Sequence, residues 1–463
     1  MVCNTEVNET KSQKVNETAM KQNVTLNINI DNFGGRVRAI ASKSHAHRLL
    51  IAGALSDCPT RLLTPDSSKD IQATVQTLQG LGAGITKEAE FYEITPIIIN
   101  TKNSHTEKNK SEDGCIIPAE ADCGESGSTL RFIIPIIGAL GIATNITMHG
   151  RLSERPLSPM YEELISHGLK LSPQGSNPFS ISGKLTGGEY VIAGNISSQF
   201  ITGLLFALPL LDTDSTLHVT GVLQSRPYVD ITLDVIRSFG IKVEEKLLSN
   251  GEVIFTIPGN QTYRSTKETY VDGDWSNAAF FLAAGAIGKN PVTVTGLNTD
   301  SLQGDKKILE LLKSFGADVS VEGMDVTVSP APLKAVEIDA SDIPDLVPIL
   351  SVVASVADGK TVIRNIERLR IKESDRVQTV ISTLSALGAD IKESGDSIVI
   401  NGKDKLKGGV IDSFNDHRIA MSAAIAAIRA DGEVTIEDAM AVSKSYPGFY
   451  EDLNSLSHTS SVS

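Results

Sequence analysis

Two interleaved series of helix-like segments recur along this chain, and no other feature narrows the fold as much. Members of the first series end on a glycine followed by a short strand: LQGLGAGI, ISHGLKL, IRSFGIKV, LKSFGADV and LSALGADI. Their glycines are Gly82, Gly168, Gly240, Gly316 and Gly388, separated by 86, 72, 76 and 72 residues. Glycine suits the position just past a helix end, where the backbone turns left-handed and a Cβ is costly. A sixth helix is predicted from Tyr446 to Leu456, with no strand pair of its own to follow. The early strand TLNINID, Thr25 to Asp31, belongs to no complete unit and is predicted to fill that vacancy. Both ends of the chain would then lie in one domain.

The second series starts near Ser44, Ser128, Ser198, Ser276, Pro344 and Asp416, at separations of 84, 70, 78, 68 and 72 residues. These helices are apolar nearly all round, which places them inside a domain. Their first turns are polar, so their N-termini should emerge at a surface. Two series of six with matching periods give six βαβαββ units. The expected fold is α/β, with two similar domains of three repeats each around buried helices, facing each other across a cleft. The expected division is 24–41 plus 271–457 for one domain and 42–270 for the other, with 1–23 a disordered leader and 458–463 a disordered tail. Six helix N-termini aimed into one cleft favour anions, through their free N–H groups and helix dipoles.

Composition limits the partners. A chain of 463 residues, 41% apolar, is long for one core and fits two or three domains. Its net charge of −14 argues against nucleic acid, while Lys and Arg gather in a few short segments suited to small anions. Cys3, Cys58, Cys115 and Cys123 form no CxxC pair, and no His stands at a zinc-like spacing, so a reducing compartment and no metal are expected. No apolar run is long enough to span a bilayer, and residues 1–23 lack the apolar core of a secretory signal. A cytoplasmic protein without membrane contact is the expectation.

The densest charge cluster is Arg364 to Arg376, ending in LRIKESDR, with five cations and three acids. KTVIRNI before it alternates like a strand, and VQTVISTLSALG after it has helical periodicity, so the charges sit at a strand-to-helix junction. A salt-bridged surface turn is the plain alternative. Lys43, Ser44 and Arg48 in SKSHAHR surround another helix start, as do the small residues of CGESGSTLR around Gly127. Glu154-Arg155-Pro156 and Ser225-Arg226-Pro227-Tyr228 are predicted to open outer-series helices at equivalent places. Ser197, Ser198 and Gln199 open a buried helix with three hydrogen-bonding side chains, where a cap needs one. Asp345 is predicted inside the first turn of an apolar helix, and Lys444 just before the last helix. His417, in NDHR, reads as a packed, hydrogen-bonded histidine more than as a catalyst.

Together these segments closely resemble the EPSP synthase family, over about Thr25 to Leu456; LRIKESDR, FNDHRIAM, NISSQFITGLL and SRPYVD carry the likeness in order and spacing. The resemblance implies an inside-out α/β barrel of the enolpyruvyltransferase type. It implies transfer of the enolpyruvyl group of phosphoenolpyruvate to the 5-hydroxyl of shikimate 3-phosphate, with release of phosphate and no metal or organic cofactor. A monomer acting on these two small molecules is expected. Residue by residue, the resemblance gives Lys43, Ser44, Arg48, Ser197, Ser198, Gln199, Ser225, Asp345 and Lys372 to shikimate 3-phosphate. It gives Lys43, Gly127, Arg155, Gln199, Arg376, Arg418 and Lys444 to phosphoenolpyruvate. Asp345 would act as base on the hydroxyl and Glu373 as acid on the methylene, with Lys43 sharing the work. Two positions depart from the family pattern. Glu125 stands where many members carry Asn, and Arg368 stands where some place an Asn that touches shikimate 3-phosphate. Arg364 and Arg370 are expected to be structural. The rival UDP-N-acetylglucosamine enolpyruvyltransferases carry a Cys shortly before an Arg comparable to Arg155, and Thr147 to Arg155 here contains none. A non-catalytic anion binder of the same fold is the alternative from another class.

Overall fold

A computed structural model describes residues 22–28, 30–97 and 117–457. The expected tail at 458–463, nearly all of the expected leader, Cys3 and Cys115 lie outside the described residues. Both helix series are present. The inner helices are Lys43–Leu55, Gly127–Leu140, Ser198–Ala207, Trp275–Ile287, Val347–Ser355 and His417–Ala426. The outer ones are Lys69–Gly80, Met160–Ser166, Arg226–Ser238, Ile308–Phe315, Arg376–Ala386 and Phe449–Ser457. The five repeat glycines have φ of +103°, +103°, +82°, +108° and +80° in chain order, the left-handed geometry that selects glycine there.

Each unit builds a small sheet. Ala119–Asp122 pairs parallel with Thr144–Thr147 across an inner helix; Phe179–Gly183 then pairs antiparallel with Thr144–Thr147, and Leu169–Leu171 with Phe179–Gly183. Five sheets have four strands. Two of them borrow their first strand from a distant part of the chain. Gly35–Arg38 pairs with Val292–Thr295, and Glu268–Tyr270 with Thr60–Leu63. The sixth sheet has three strands, because Val24–Leu26 pairs antiparallel with Ala430–Glu437 where a hairpin would otherwise lie. The early segment therefore closes the last unit, although its strand is shorter than TLNINID and runs on to a 3-10 turn at Ile30–Asn32.

The sheets show alternating burial, as in BiBiBi along Ser215–Thr220, so one face packs inward on the helices. Trp275–Ile287, Val347–Ser355 and His417–Ala426 pack on one another. Buried apolar side chains form two separate cores. One draws on Phe33 to Ala39 and Trp275 to Leu456, the other on Ala46 to Tyr263. Among the described residues no helix is long and apolar enough to cross a membrane.

Two predicted helix starts are displaced by proline. The last helix begins at Phe449 rather than Tyr446, because Pro447 disfavours helical geometry in the residue before it. Arg155 opens no helix: it follows a 3-10 turn at Leu152–Glu154, and the helix waits until Met160, after Pro156 and Pro159.

Candidate active site

Ser42, Ser126, Ser197, Asp274 and Asp416 each cap an inner helix by accepting a backbone N–H. With the caps so satisfied, the residues beside them are free to face outward. All six inner helices or their N-terminal turns contribute to one cavity, open at its mouth, which brings together Lys43, Ser44, Ser128, Ser198, Ser276, Asp345, His417 and Arg418. Seven cationic side chains and three carboxylates line it, so an acidic protein keeps a cavity with a surplus of positive charge.

Part of the lining is rich in hydroxyls: Ser197, Ser198, Ser225 and Tyr228 line the cavity together with Arg48, Arg368 and Lys372. Arg48 is buried and held by neutral groups: it donates to Thr232 Oγ1 at 2.8 Å, to the Ser44 carbonyl at 2.7 Å and to the Tyr228 carbonyl at 2.9 Å. Burial without an acid pushes its pKa down to about 9. Ser225 has a left-handed backbone, φ +54°, at the head of Arg226–Ser238. Lys43 donates to Asp70 Oδ2 at 2.8 Å. Burial lowers the affinity of Lys43 for its proton, but Asp70 and Glu373 outweigh it and the pKa is raised.

The two candidate catalytic carboxylates share one guanidinium. Arg376, only 1% exposed, donates to Asp345 Oδ1 at 2.7 Å, Glu373 Oε2 at 2.6 Å and Asp416 Oδ2 at 2.8 Å. Asp345 also accepts from Lys372 at 3.2 Å, Arg418 at 3.3 Å and the Tyr228 hydroxyl at 2.9 Å. Burial alone would push the Asp345 carboxyl up, but Arg418, Lys372 and Arg376 hold it well below the usual carboxylate range. Glu373 follows the same pattern, with burial outweighed by Arg376 and Arg155. Asp305, buried close to Asp345, goes the other way: burial and the Asp345 charge push it up to about 6.

Arg155, Gln199, Ser128 and Arg131 also line the cavity. Arg131 donates to Gln199 Oε1 at 2.7 Å and Gln199 Nε2 donates to Ser128 Oγ at 2.8 Å, so the amide is fixed in one orientation. Arg155 lies against Gly127: a Cβ built on that glycine would be 2.3 Å from Arg155 Nη1. Among the described residues Arg155 forms no ion pair, and its Nε is buried without a partner.

Not every expected residue reaches the cavity. Gly127 contributes backbone beneath Arg155, and Arg376 sits behind the carboxylates it holds. Lys444 lines a different cavity beside Asp70 and Glu125. Its Nζ donates to Glu125 Oε2 and to the Asn415 carbonyl, each at 2.8 Å. His417 is packed as expected but not hydrogen-bonded, since neither ring nitrogen finds a partner among the described residues. Burial keeps it neutral, well below the ordinary histidine value. Arg364 pairs with Glu337, and Arg370 with Asp375 and Glu393, away from the cavity. Sequence reasoning passed over Arg131, Tyr228 and Asp305. Arg131 had a readable signal, standing four residues after Gly127 on the same helix face. Tyr228 closes the quoted SRPY, while Asp305 carried no signal of its own.

The comparisons with known proteins converge. The family model described as EPSP synthase (3-phosphoshikimate 1-carboxyvinyltransferase) matches residues 29–453. The 3-phosphoshikimate 1-carboxyvinyltransferase of Clostridium kluyveri is 41% identical over 432 residues, 93% of this chain and 97% of the relative. That of Clostridium novyi is 43% identical over 422 residues, 91% and 94% of the two chains. Among solved structures, EPSP synthase from Acinetobacter baumannii superposes with a TM-score of 0.74 at 26% identity, covering 92% of this chain and 96% of that one. The enolpyruvyl transferase NikO from Streptomyces tendae shares the fold, with a TM-score of 0.70 at 16% identity over 94% of this chain and 98% of its own. The match along 29–453 and the Clostridium identities together place this chain in the EPSP synthase (3-phosphoshikimate 1-carboxyvinyltransferase) family.

Proposed function

We propose that this chain transfers the enolpyruvyl group of phosphoenolpyruvate to the 5-hydroxyl of shikimate 3-phosphate and releases phosphate. The observation that carries the reading is a cavity with surplus cations surrounding two carboxylates, Asp345 and Glu373. Both substrates bring a carboxylate and a phosphate, and arginine forks bind both groups at two points. The hydroxyl-rich lining suits the acceptor, with Lys43, Ser44, Arg48, Ser197, Ser198, Ser225 and Lys372 around it and Gln199 between the two substrates. Arg155, Arg376, Arg418 and the backbone at Gly127 suit the donor; Lys444 joins them once it leaves Glu125.

The chemistry follows from charge. Asp345 takes the proton of the 5-hydroxyl, and the freed oxygen bonds to the central carbon of phosphoenolpyruvate as Glu373 protonates the methylene. Loss of phosphate and of a methyl proton then restores the double bond. Held by cations alone, Asp345 and Glu373 lie well below the usual carboxylate range, which suits neither a base nor an acid. Substrate anions compete for those cations, which raises both carboxyls toward working values. The bodies that close on the substrates are 24–41 with 271–457 and 42–270, a division supported by the two cores. The same reading has the protein working as a cytoplasmic monomer.

The test is phosphate release with both substrates present. The wild type should turn over, and Asp345→Ala should lose at least about a thousandfold in kcat while keeping its melting temperature within a few degrees. No release by ample wild-type enzyme would overturn the reading.

A further inference from the structure

Asp305 is buried beside the proposed base and has no part in the scheme above. It sits in the 3-10 turn Gly304–Lys307, 3% exposed, in the half that carries Asp345. Its Oδ1 is buried with no hydrogen-bond partner among the described residues. What it does hold is the hydroxyl of Ser276, in the first turn of the inner helix Trp275–Ile287. Ser276 Oγ accepts from Arg418 Nη2 at 2.7 Å, so its own proton is free to turn to Asp305. Arg418 Nη2 also donates to Asp345 Oδ2 at 3.3 Å. The guanidinium therefore lies between two acids, bonded directly to Asp345 and through one hydroxyl to Asp305.

The groups that face Asp305 set its charge. Tyr228 approaches from Arg226–Ser238, Asp274 from the head of Trp275–Ile287, and Asp345 and Arg418 from the cavity side. Elsewhere on the elements packed against it, Asp230 is tied to Arg226, while Asp234, Arg237, Glu310 and Lys313 are exposed. Lys306 turns away to the carbonyls of Thr299 and Ser301, and Lys307 is exposed. Burial and the Asp345 charge together push Asp305 up to about 6, against the pull of Arg418. That repulsion is mutual, so an ionised Asp305 raises the proton affinity of Asp345. Lys372, Arg376 and Arg418 pull Asp345 the other way. A buried carboxylate with one hydroxyl for company is costly to keep, and this one stands where its charge opposes those cations.

We infer that Asp305 is a positioning residue for the proposed reaction: its negative charge offsets the cations around Asp345 and keeps that carboxylate able to take the hydroxyl proton of the acceptor. The inference rests on the reading of the site given above and deepens it. Asp305 does not line the cavity, so it acts on Asp345 and not on a substrate. Once Asp305 is protonated the offset is lost, which gives the reaction an acid limit of its own.

The experiment compares wild type and D305N as full-length proteins, with thermal melts as the folding control. Asparagine keeps an oxygen acceptor for the Ser276 hydroxyl and removes the charge. Phosphate release gives kcat and both KM values from pH 5 to 8, and comparing the two proteins at each pH cancels the ionisation of the substrates. Both KM values should stay within about threefold, while the kcat of D305N relative to wild type falls from about one at pH 5 to about one tenth at pH 8. A loss equal at every pH, or no loss at pH 8, overturns the inference and leaves the assigned reaction standing. Carboxyl 13C NMR separates the two from the other side, with the Asp305 signal identified as the one lost in D305N. It should titrate near pH 6 in the wild type and drop toward the ordinary carboxylate value in D345N. An Asp305 signal whose midpoint is unmoved in D345N removes the mutual repulsion and overturns the inference, whether or not the wild type turns over.

Discussion

Replacing Gly127 by Ala should damage donor binding while sparing the fold. The added Cβ would lie 2.3 Å from Arg155 Nη1 and 2.7 Å from its Cζ. Carbon and nitrogen sit comfortably at about 3.5 Å, so the guanidinium must retreat by roughly 1 Å. Arg155 can do so at little cost to the fold, because no ion pair among the described residues holds it. Gly127 is not among the residues with positive φ, so alanine meets no backbone penalty. The loss therefore falls on the ligand. One charge-assisted hydrogen bond contributes about 1.5–3 kcal/mol, so a displaced fork that keeps one of two contacts raises the phosphoenolpyruvate KM about 10- to 100-fold. The KM for shikimate 3-phosphate should stay within about twofold, since the hydroxyl-rich lining is untouched, and the melting temperature should not fall. Phosphate release measured while varying each substrate in turn gives both constants. A donor KM within twofold of wild type, in a variant with an unchanged melt, would refute the claim that Gly127 sets the position of a donor-holding Arg155.

Two further outcomes are expected. Glu125→Gln keeps an acceptor for Lys444 and Asn415 but removes the charge that competes with an anionic donor for Lys444; the phosphoenolpyruvate KM should fall about two- to fivefold, and an unchanged or raised KM would show that this half-buried pair does not restrain Lys444. Asp305, ordinarily near 3.8 and raised here to about 6, binds its proton more tightly folded than unfolded, so it costs the wild type stability as pH rises through about 4 to 6. Asp305→Asn lacks that term: it should match wild type near pH 4 and melt about 6 °C higher by pH 7, from about 3 kcal/mol at about 2 °C per kcal/mol, whereas a difference that stays flat with pH would remove the raised carboxyl from the account.

The repeat was legible because it is written in local chemistry. A left-handed helix end needs glycine, and five glycines at near-constant spacing mark five such ends. Helices buried on every side need apolar residues on every side, and those runs stand out in the sequence. The polar first turns pointed correctly at the cavity because each helix start is a contiguous segment. Contacts between the halves were not legible in the same way. Glu125 and Lys444 are 319 residues apart, and Ser225 and Arg368 are 143 apart; only the way two folded bodies meet brings them together. Lys444 was expected in the cavity and lies beside it, because an acid on the facing half takes its charge. The raised carboxyl of Asp305 was invisible for a related reason, since it depends on its burial in the fold and then on how closely Asp345 approaches in space. The helix starts expected at Tyr446 and Arg155 differ for a reason present in the sequence itself: Pro447 and Pro156 disfavour helical geometry in the residue before each.

Ion pairs explain how an acidic chain can keep so cationic a site folded. Arg376 holds three carboxylates, and Asp345 in turn engages three cations, so the charges around these carboxylates are paired within the protein. That pairing stabilises the cleft and weakens Asp345 as a base, since a carboxylate gripped by several cations holds a proton poorly. Arginines without acids have the opposite character: Arg155 leaves its Nε without a partner among the described residues, and Arg48 is held by neutral groups while burial pushes its pKa down to about 9, so both are suited to an anion. On the proposed reaction the two kinds of cation divide the work: guanidiniums without an acid supply affinity for substrate anions, and the paired cations release Asp345 and Glu373 as those anions compete for them. Substituting an unpaired arginine should therefore fall mainly on KM, and substituting Arg376 on stability and kcat together, since its loss removes the one cation that Glu373, Asp345 and Asp416 share.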